Sequence, residues 1–179
     1  MADTLQDAPH ESRTDIKPAR ALSATSVTIN RRADDLYDFF RDFANLPRFM
    51  ENVVRIDVID PRRSHWVVKA PAGATVEWDA TVTDEAPGQW FSWQSDDGAD
   101  VSNSGKVRFD DAGDRGTVVT ATIAYDPPGG AIGKIIAKIF QREPQIQARR
   151  DLRRFKQLME TGEVATAARN RTMFEKEGQ

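Results

Sequence analysis

The chain has 179 residues and no cysteine, which excludes disulfides, thiolate metal sites and thiol nucleophiles. Its hydrophobic content of 39% and charged content of 30% are typical of one globular domain with a full hydrophobic core. The net charge of −3 argues against nucleic-acid binding, and no apolar run approaches the roughly 20 residues that a membrane span needs.

The beginning of the chain is polar and contains no apolar segment of the kind that a secretory signal needs. We expect residues 1–22 to be disordered, residues 23–163 to form one domain, and residues 164–179 to form a polar tail. Without a secretory signal, the cytoplasm is the expected location of the protein.

The predicted elements begin with one strand and two short helices. Alternation of apolar and polar residues over 24–30 predicts the strand, and Asn30 is placed to cap the helix that follows. Apolar residues on one side of 32–42 predict that helix. A second short helical piece over 43–50 contains Pro47 and is expected to make a V with the first.

A run of strands occupies the middle of the chain. Apolar and polar residues alternate with a period of two, most clearly over 74–84, and Pro- or Gly-bearing turns separate the alternating segments. The predicted strands are 52–59, 65–70, 74–84, 89–95, 101–110 and 117–125. Because the turns between them are short, neighbouring strands are expected to be antiparallel.

A long C-terminal helix is predicted between the Pro-Pro-Gly-Gly turn that starts at Pro127 and Gly162, which is placed to end it. Pro144 suits the first turn of a new helix or a kink in the old one. Apolar residues at helical spacing are Ile132, Ile135, Ile136, Ile139, Phe140, Ala148, Leu152, Phe155 and Met159. With no comparable helix elsewhere, the apolar face must lie across the sheet, which predicts a two-layer α+β fold.

The opposite face of this helix is basic. Residues 131–160 carry eight Lys and Arg side chains against three acidic ones, although the whole chain is acidic. The simplest interpretation is a solvated outer face, and the alternative is peripheral contact with a membrane surface or an anionic partner.

The order of the elements, together with several phrases, resembles the START-like helix-grip superfamily, also called SRPBCC. The branch it is most similar to is the bacterial polyketide cyclase/dehydrase-type group. The phrases are RRADDLYDFFRDFANLPRFM, EWDATVTDEAPGQWFSWQS, SGKVRF, GTVVTATIAYDPPGG and DLRRFKQLMETGE. The resemblance implies about seven strongly bent strands wrapped around the C-terminal helix, with an apolar cavity between them. It implies ligands such as lipids, sterols, quinones or polyketides, and no single catalytic motif.

Aromatic and aliphatic side chains on the strands and the helix are the candidates for lining such a cavity, because they suit a flat or greasy ligand. The ligand-binding candidates are Trp66, Trp78, Phe91, Trp93, Asn103, Val107, Phe109, Ile123, Tyr125, Ile132, Ile135, Ile136, Ile139, Phe140 and Phe155. The alternative is that these side chains only fill the core, where each large one contributes on the order of 1.5–3 kcal/mol.

Few polar residues are candidates for catalysis. Tyr125 or Asn103 could hydrogen-bond a ligand carbonyl, and Glu77, two residues from Asp79, could act as an acid or base. A solvent-facing carboxylate pair and a satisfied core tyrosine are the simpler interpretations. The glycine at 105 indicates a bulge or bend in the sheet.

No cofactor or metal is expected, because nucleotide-binding glycine motifs and ligand clusters at workable spacing are both missing from the sequence. The sequence therefore favours binding or carriage of a hydrophobic small molecule under the C-terminal helix. The alternatives are a polyketide cyclase/dehydratase-type enzyme and an accessory protein that uses the basic helix face. The sequence does not predict an oligomeric state.

Overall fold

The computed structural model describes residues 21–70, 73–99, 101–126 and 144–164. The elements are β1 (Ala21–Ile29), α1 (Ala33–Arg41), a 3-10 helix (Phe43–Arg48), β2 (Val53–Val58), β3 (Arg63–Lys69), β4 (Thr75–Ala86), β5 (Trp90–Ser95), β6 (Ser102–Asp111), a 3-10 turn (Gly113–Arg115), β7 (Thr117–Asp126) and α2 (Pro144–Thr161). The predicted apolar stripe from Ile132 to Phe140 lies outside the described residues.

The strands form one curved antiparallel sheet in the order β1-β7-β6-β5-β4-β3-β2. Consecutive strands from β2 to β7 are neighbours, as their short connections require, and the first strand closes onto the last. Helix α2 packs against the sheet. The segment that connects β1 to β2 forms α1 and the 3-10 helix. The predicted α+β helix-grip fold is confirmed.

Phe155 of α2 holds the helix to the rest of the core. Its side chain is fully buried, and its ring centroid lies 5.2 Å from that of Phe40 and 4.9 Å from that of Phe49. Leu152 and Leu158 are buried on the same side of the helix. The helical spacing of Leu152 and Phe155 therefore produces the face that was predicted to lie against the sheet, and Leu158, which was not predicted, adds to it.

The end of α2 follows from residue chemistry. Gly162 takes a φ of 81° and donates its N–H to Leu158 O at 2.8 Å, which ends the helix as the sequence predicts. The described part of α2 starts at Pro144, and residues 127–143 lie outside the described ranges. The role of Pro144, in a first turn or at a kink, therefore stays a prediction.

The predicted capping role of Asn30 is wrong. Helix α1 begins only at Ala33, with Arg32 in the cap position and no side-chain cap. The backbone N–H of Asn30 instead donates to Glu160 Oε1 at 2.8 Å. Asn30 therefore ties the end of β1 to the last turn of α2.

Gly105 gives room to a tryptophan rather than marking a bulge, since the registers of β6 with β5 and β7 run without a shift. A Cβ at this position would collide with the Trp93 indole ring and would lie 2.7 Å from Thr122 O. The indole can lie across β6 because the position opposite Trp93 has no side chain.

Gly105→Ala should therefore destabilise the protein by about 1 to 3 kcal/mol, because the methyl group displaces the Trp93 ring or the strand backbone. Denaturant unfolding measures this change, and tryptophan emission reports the ring's displacement. Ser104→Ala, at the exposed neighbouring position, is the matched control and should stay within about 0.5 kcal/mol of the wild type. Equal stabilities of the two variants would contradict the prediction.

Candidate ligand-binding site

A cavity of about 190 Å³ lies between the inner face of the sheet and the first turns of α2. Its lining residues are Phe40, Phe43, Leu46, Met50, Asn52, Val53, Trp66, Val68, Trp78, Ala80, Thr81, Val82, Phe91, Trp93, Asn103, Val107, Ala121, Ile123, Gln147, Ala148 and Asp151. Most of these side chains are apolar. The cavity is smaller than the roughly 300–1,000 Å³ of most drug-sized sites, which favours a compact ligand.

Two tryptophans form one wall of the cavity. Trp66 and Trp78 stand opposite each other on β3 and β4, and their rings stack with 6.2 Å between centroids and 8° between planes. The indole N–H of Trp66 donates to Ser64 Oγ at 2.9 Å. Because that polar group is already satisfied, the stacked pair offers the cavity mainly apolar ring surface.

The third tryptophan of the cavity is fixed by Asn103. Trp93 donates its indole N–H to Asn103 Oδ1 at 3.2 Å, and Asn103 Nδ2 donates to Val101 O at 3.1 Å. The amide oxygen of Asn103 thus orients Trp93. This bond leaves Asn103 suited to positioning the wall of the cavity rather than to catalysis.

Among the described residues that line the cavity, Asp151 is the charged one. It extends from α2, and its Oδ1 accepts from Gln147 Nε2 at 3.0 Å and from the backbone N–H of Glu51 at 3.4 Å. Burial raises the pKa of this carboxyl to about 6, against the lowering effect of its two hydrogen bonds and of Arg154. A carboxyl group whose pKa lies near 6 therefore faces a mostly apolar space.

A family model described as polyketide cyclase / dehydrase and lipid transport matches residues 20–160, which cover almost all of the sheet and α2. The chain belongs to this family. The predicted resemblance to the START-like superfamily and its cyclase/dehydrase branch is confirmed. No curated protein matches the chain.

Solved structures share the fold of this family member. DR_A0006 from Deinococcus radiodurans is 38% identical, with a TM-score of 0.65 over 79% of this chain and 98% of that one. The Zhui aromatase/cyclase from Streptomyces sp. R1128 is 12% identical, with a TM-score of 0.63 over 81% and 99% of the two chains. A START superfamily protein from Mycobacterium smegmatis is 12% identical, with a TM-score of 0.53 over 73% and 97%.

The structure brings together about half of the predicted ligand-binding residues of this family member. Those that line the cavity are Trp66, Trp78, Phe91, Trp93, Asn103, Val107 and Ile123. Phe109 and Phe155 lie instead in the packed core. The side chain of Tyr125 and the residues Ile132, Ile135, Ile136, Ile139 and Phe140 lie outside the described part of the chain. The binding roles of all these residues stay predictions.

Glu77 points away from the cavity. It lies on the outer face of β4, where its Oε2 is 3.3 Å from His65 Nε2, and Asp79 Oδ1 is 2.7 Å from His65 Nδ1. Arg63 adds contacts to Asp79 and Asp96 at 3.6 and 3.2 Å. This outer arrangement is the solvent-facing carboxylate pair that the alternation in β4 favours.

The same contacts should make stability depend on pH. The hydrogen bond to Asp79 is the main cause that raises the pKa of His65, with Glu77 adding to it. The stabilisation is complete below the ordinary pKa of about 6.5 and disappears as pH rises through the raised value. We expect the melting temperature to fall as pH rises above about 6.5, and His65→Asn to lose this step. A variant that keeps the full step would contradict the assignment.

A second, wider depression of about 580 Å³ lies between the β1–α1 connection and the β6–β7 turn. Its lining is formed by charged side chains of both signs, such as Arg31 and Asp34, and by backbone around Gly116. It lacks the apolar walls of the cavity under α2. For a family with hydrophobic ligands, the smaller cavity is therefore the candidate site.

Within the described ranges, no three His, Asp or Glu side chains are placed to hold a metal ion. In the same part of the chain, no helix has the length and apolar character to cross a membrane. The basic face of α2 is solvated at Arg149, Arg150 and Arg153, while Lys156 pairs with Glu160 at 2.8 Å.

Proposed function

We propose that the protein binds or carries a compact, flat and mostly apolar molecule in the cavity under α2. The observation that carries this proposal is the cavity itself, with aromatic rings on its walls and the carboxyl group of Asp151. The family description, which combines polyketide chemistry with lipid transport, supports the same class of ligand. A cytoplasmic location remains a prediction from the sequence.

Asp151 suggests which polar group the ligand carries. A carboxylate accepts hydrogen bonds. Gln147 Nε2 and the N–H of Glu51 both donate to Oδ1 of Asp151. A phenol, enol or other hydroxyl donor placed at this end of the cavity could bond to Oδ2, while its ring lies against Trp66 and Trp78. We therefore expect hydroxylated aromatic molecules to bind more tightly than their unsubstituted parents.

An enzyme of the cyclase/dehydratase type is the second candidate, and Asp151 is again the observation that favours it. A carboxyl group with a pKa of about 6 can both donate and accept a proton near neutral pH. Asn103 is engaged with Trp93, and Glu77 lies on the outer face, so neither supports this reading as directly. Turnover that Asp151→Asn abolishes, without loss of ligand binding, would establish it.

Peripheral membrane contact through α2 is a further proposal, supported by the exposed side chains of Arg149, Arg150 and Arg153. Flotation with anionic vesicles tests it. Binding that disappears when these three arginines are replaced by glutamine would support the contact. Equal flotation of the wild type and the triple variant would remove it.

The binding proposal is tested with a cavity-filling variant. Ala80 lines the cavity and is almost fully buried, so Ala80→Leu would occupy part of the space that a ligand needs. Three tryptophans of the lining make intrinsic fluorescence a direct readout of titrations with naphthols, quinones and fatty acids. We expect Ala80→Leu to weaken binding at least about 10-fold, the scale of a clash in an apolar pocket.

Ala24→Leu adds the same three carbons at an exposed position of β1 and is the matched control. It should bind like the wild type. Native mass spectrometry of protein purified from its host should show a bound small molecule. A clean mass for the bare chain, together with no fluorescence response to any of the three ligand classes, would overturn the proposed function.

A further inference from the structure

The two edge strands of the sheet differ in whether a helix covers them. Strand β1 is one edge, and α2 covers it: Lys156 Nζ donates to Thr28 O at 2.6 Å, and Glu160 accepts from the N–H of Asn30. Strand β2 is the other edge, and within the described residues no further strand lies beyond it. An uncovered edge is a template for pairing with another strand.

The β2 edge also exposes apolar side chains. Val54 is 46% exposed, Val58 is 54% exposed and Ile59, directly after the strand, is 52% exposed. These residues are exposed beside charged Arg55 and Asp57 and a register shift after Val53, so the edge combines apolar surface with features that limit pairing. A strand that covered this edge would bury these exposed apolar side chains.

Backbone geometry shows which groups are free to pair. Asp57 lies opposite His65 and Val58 opposite Ser64, and Ile59 donates its N–H to Arg63 O at 3.0 Å. In an antiparallel ladder, alternate residues direct their backbone groups at one neighbour. Ile59 and Asp57 therefore face β3, and Ile56 and Val58 present their N–H and C=O groups outward.

The sequence of β2 is complementary to itself in charge. Arg55 and Asp57 flank Ile56 and lie on the outer face, both more than half exposed, with 2.9 Å between Arg55 Nε and Asp57 Oδ2. Two β2 strands paired antiparallel about Ile56 would place Arg55 of each copy opposite Asp57 of the other. A register shift in β2 lies between Val53 and Arg55, so the regular part of this ladder runs from Arg55 to Asp57.

We propose that β2 is a self-association surface on which a second copy of this chain pairs antiparallel about Ile56, joining two sheets into one. The register places each Arg55 opposite the Asp57 of the other copy, so two such pairs form, one on either side of the two-fold axis. A contact of a few residues per strand is small, so the dimer belongs to the weak, concentration-dependent class of interfaces.

Sedimentation velocity of the full chain up to about 1 mM, a range suited to weak interfaces, tests the proposal. The wild type should shift from monomer to dimer as its concentration rises. Arg55→Asp or Asp57→Arg alone places like charges opposite each other twice and should weaken the dimer at least about 10-fold. An equimolar mixture of the two variants brings two aspartates of one chain against two arginines of the other, and should restore the dimer.

The double variant R55D/D57R supplies the control for folding. It should associate with itself like the wild type, yet it should not pair with the wild type, because that combination again opposes like charges. A wild type that stays monomeric at all concentrations would overturn the proposal, as would single variants that dimerise normally. Single variants that stay monomeric and are not rescued on mixing would exclude the pairing of Arg55 with Asp57 and would also overturn it.

Discussion

Replacing Phe155 with alanine is expected to lower the free energy of unfolding by about 3 to 5 kcal/mol. The ring is fully buried and packs against Phe40, Phe49 and, at 6.0 Å between centroids, Phe39. Its removal would leave a void at the point where α2, α1 and the 3-10 helix meet. Because these elements cannot close that void without moving the helix, we expect a value in the upper half of the range.

Guanidinium unfolding, followed by circular dichroism, measures this loss. Ile146→Ala is the matched control, since Ile146 belongs to the same helix but is 44% exposed. Its effect should stay below about 1 kcal/mol, because a surface truncation loses little buried area. If the two variants lost similar stability, Phe155 would not be the main contact between α2 and the core.

The fold could be predicted from the sequence because its periodic segments are long and consistent. The alternation in β4 puts Val76, Ala80 and Val82 on the inner face, as the structure shows. The helical stripe of α2 buries Leu152 and Phe155 in the same way. Short turns then leave few topologies for the strands, and an antiparallel sheet under one helix satisfies all of these constraints.

The candidate site was less predictable, because a strand pattern separates inner from outer positions but does not separate cavity from core. Phe109 and Val107 both face inward on β6, yet only Val107 reaches the cavity. Phe43, Leu46 and Met50 were predicted as apolar members of a short helical piece. Their place on the cavity wall depends on how that piece sits across the sheet, which periodicity does not encode.

Asp151 was missed although the sequence carries a signal for it. It stands three residues after Ala148 and four before Phe155, so it lies at the border of the apolar stripe of α2. Counted with the other charges of the helix, it looked like part of the solvated face. An acidic residue that lies three or four residues from the apolar positions of a helix is better interpreted as a buried group, because the helix directs it toward the sheet.

Asp151→Asn is expected to stabilise the protein at pH 7 by about 1 to 3 kcal/mol while weakening the binding of hydroxylated ligands. Burial raises the pKa of the Asp151 carboxyl from its ordinary value of 3.8 to about 6. Below about pH 4 the group is protonated in both the folded and unfolded chain, so its charge costs no stability. Between about pH 4 and 6 the folded state holds the proton more tightly, and stability falls as pH rises through that window. Above it the buried charge is a lasting cost, which the neutral amide removes.

Unfolding of the wild type and of Asp151→Asn should therefore agree near pH 4 and diverge toward pH 7, with the variant more stable. Asp114→Asn, at an exposed position of the β6–β7 turn, is the matched control for the same change outside the cavity. Asparagine still offers an oxygen to Gln147 Nε2, so the local structure should persist. A variant that gains stability but loses ligand would show that the carboxyl group is kept for binding at the expense of folding, as functional groups often are. A loss of stability at pH 7 would mean that the carboxylate is better stabilised in the cavity than its burial indicates.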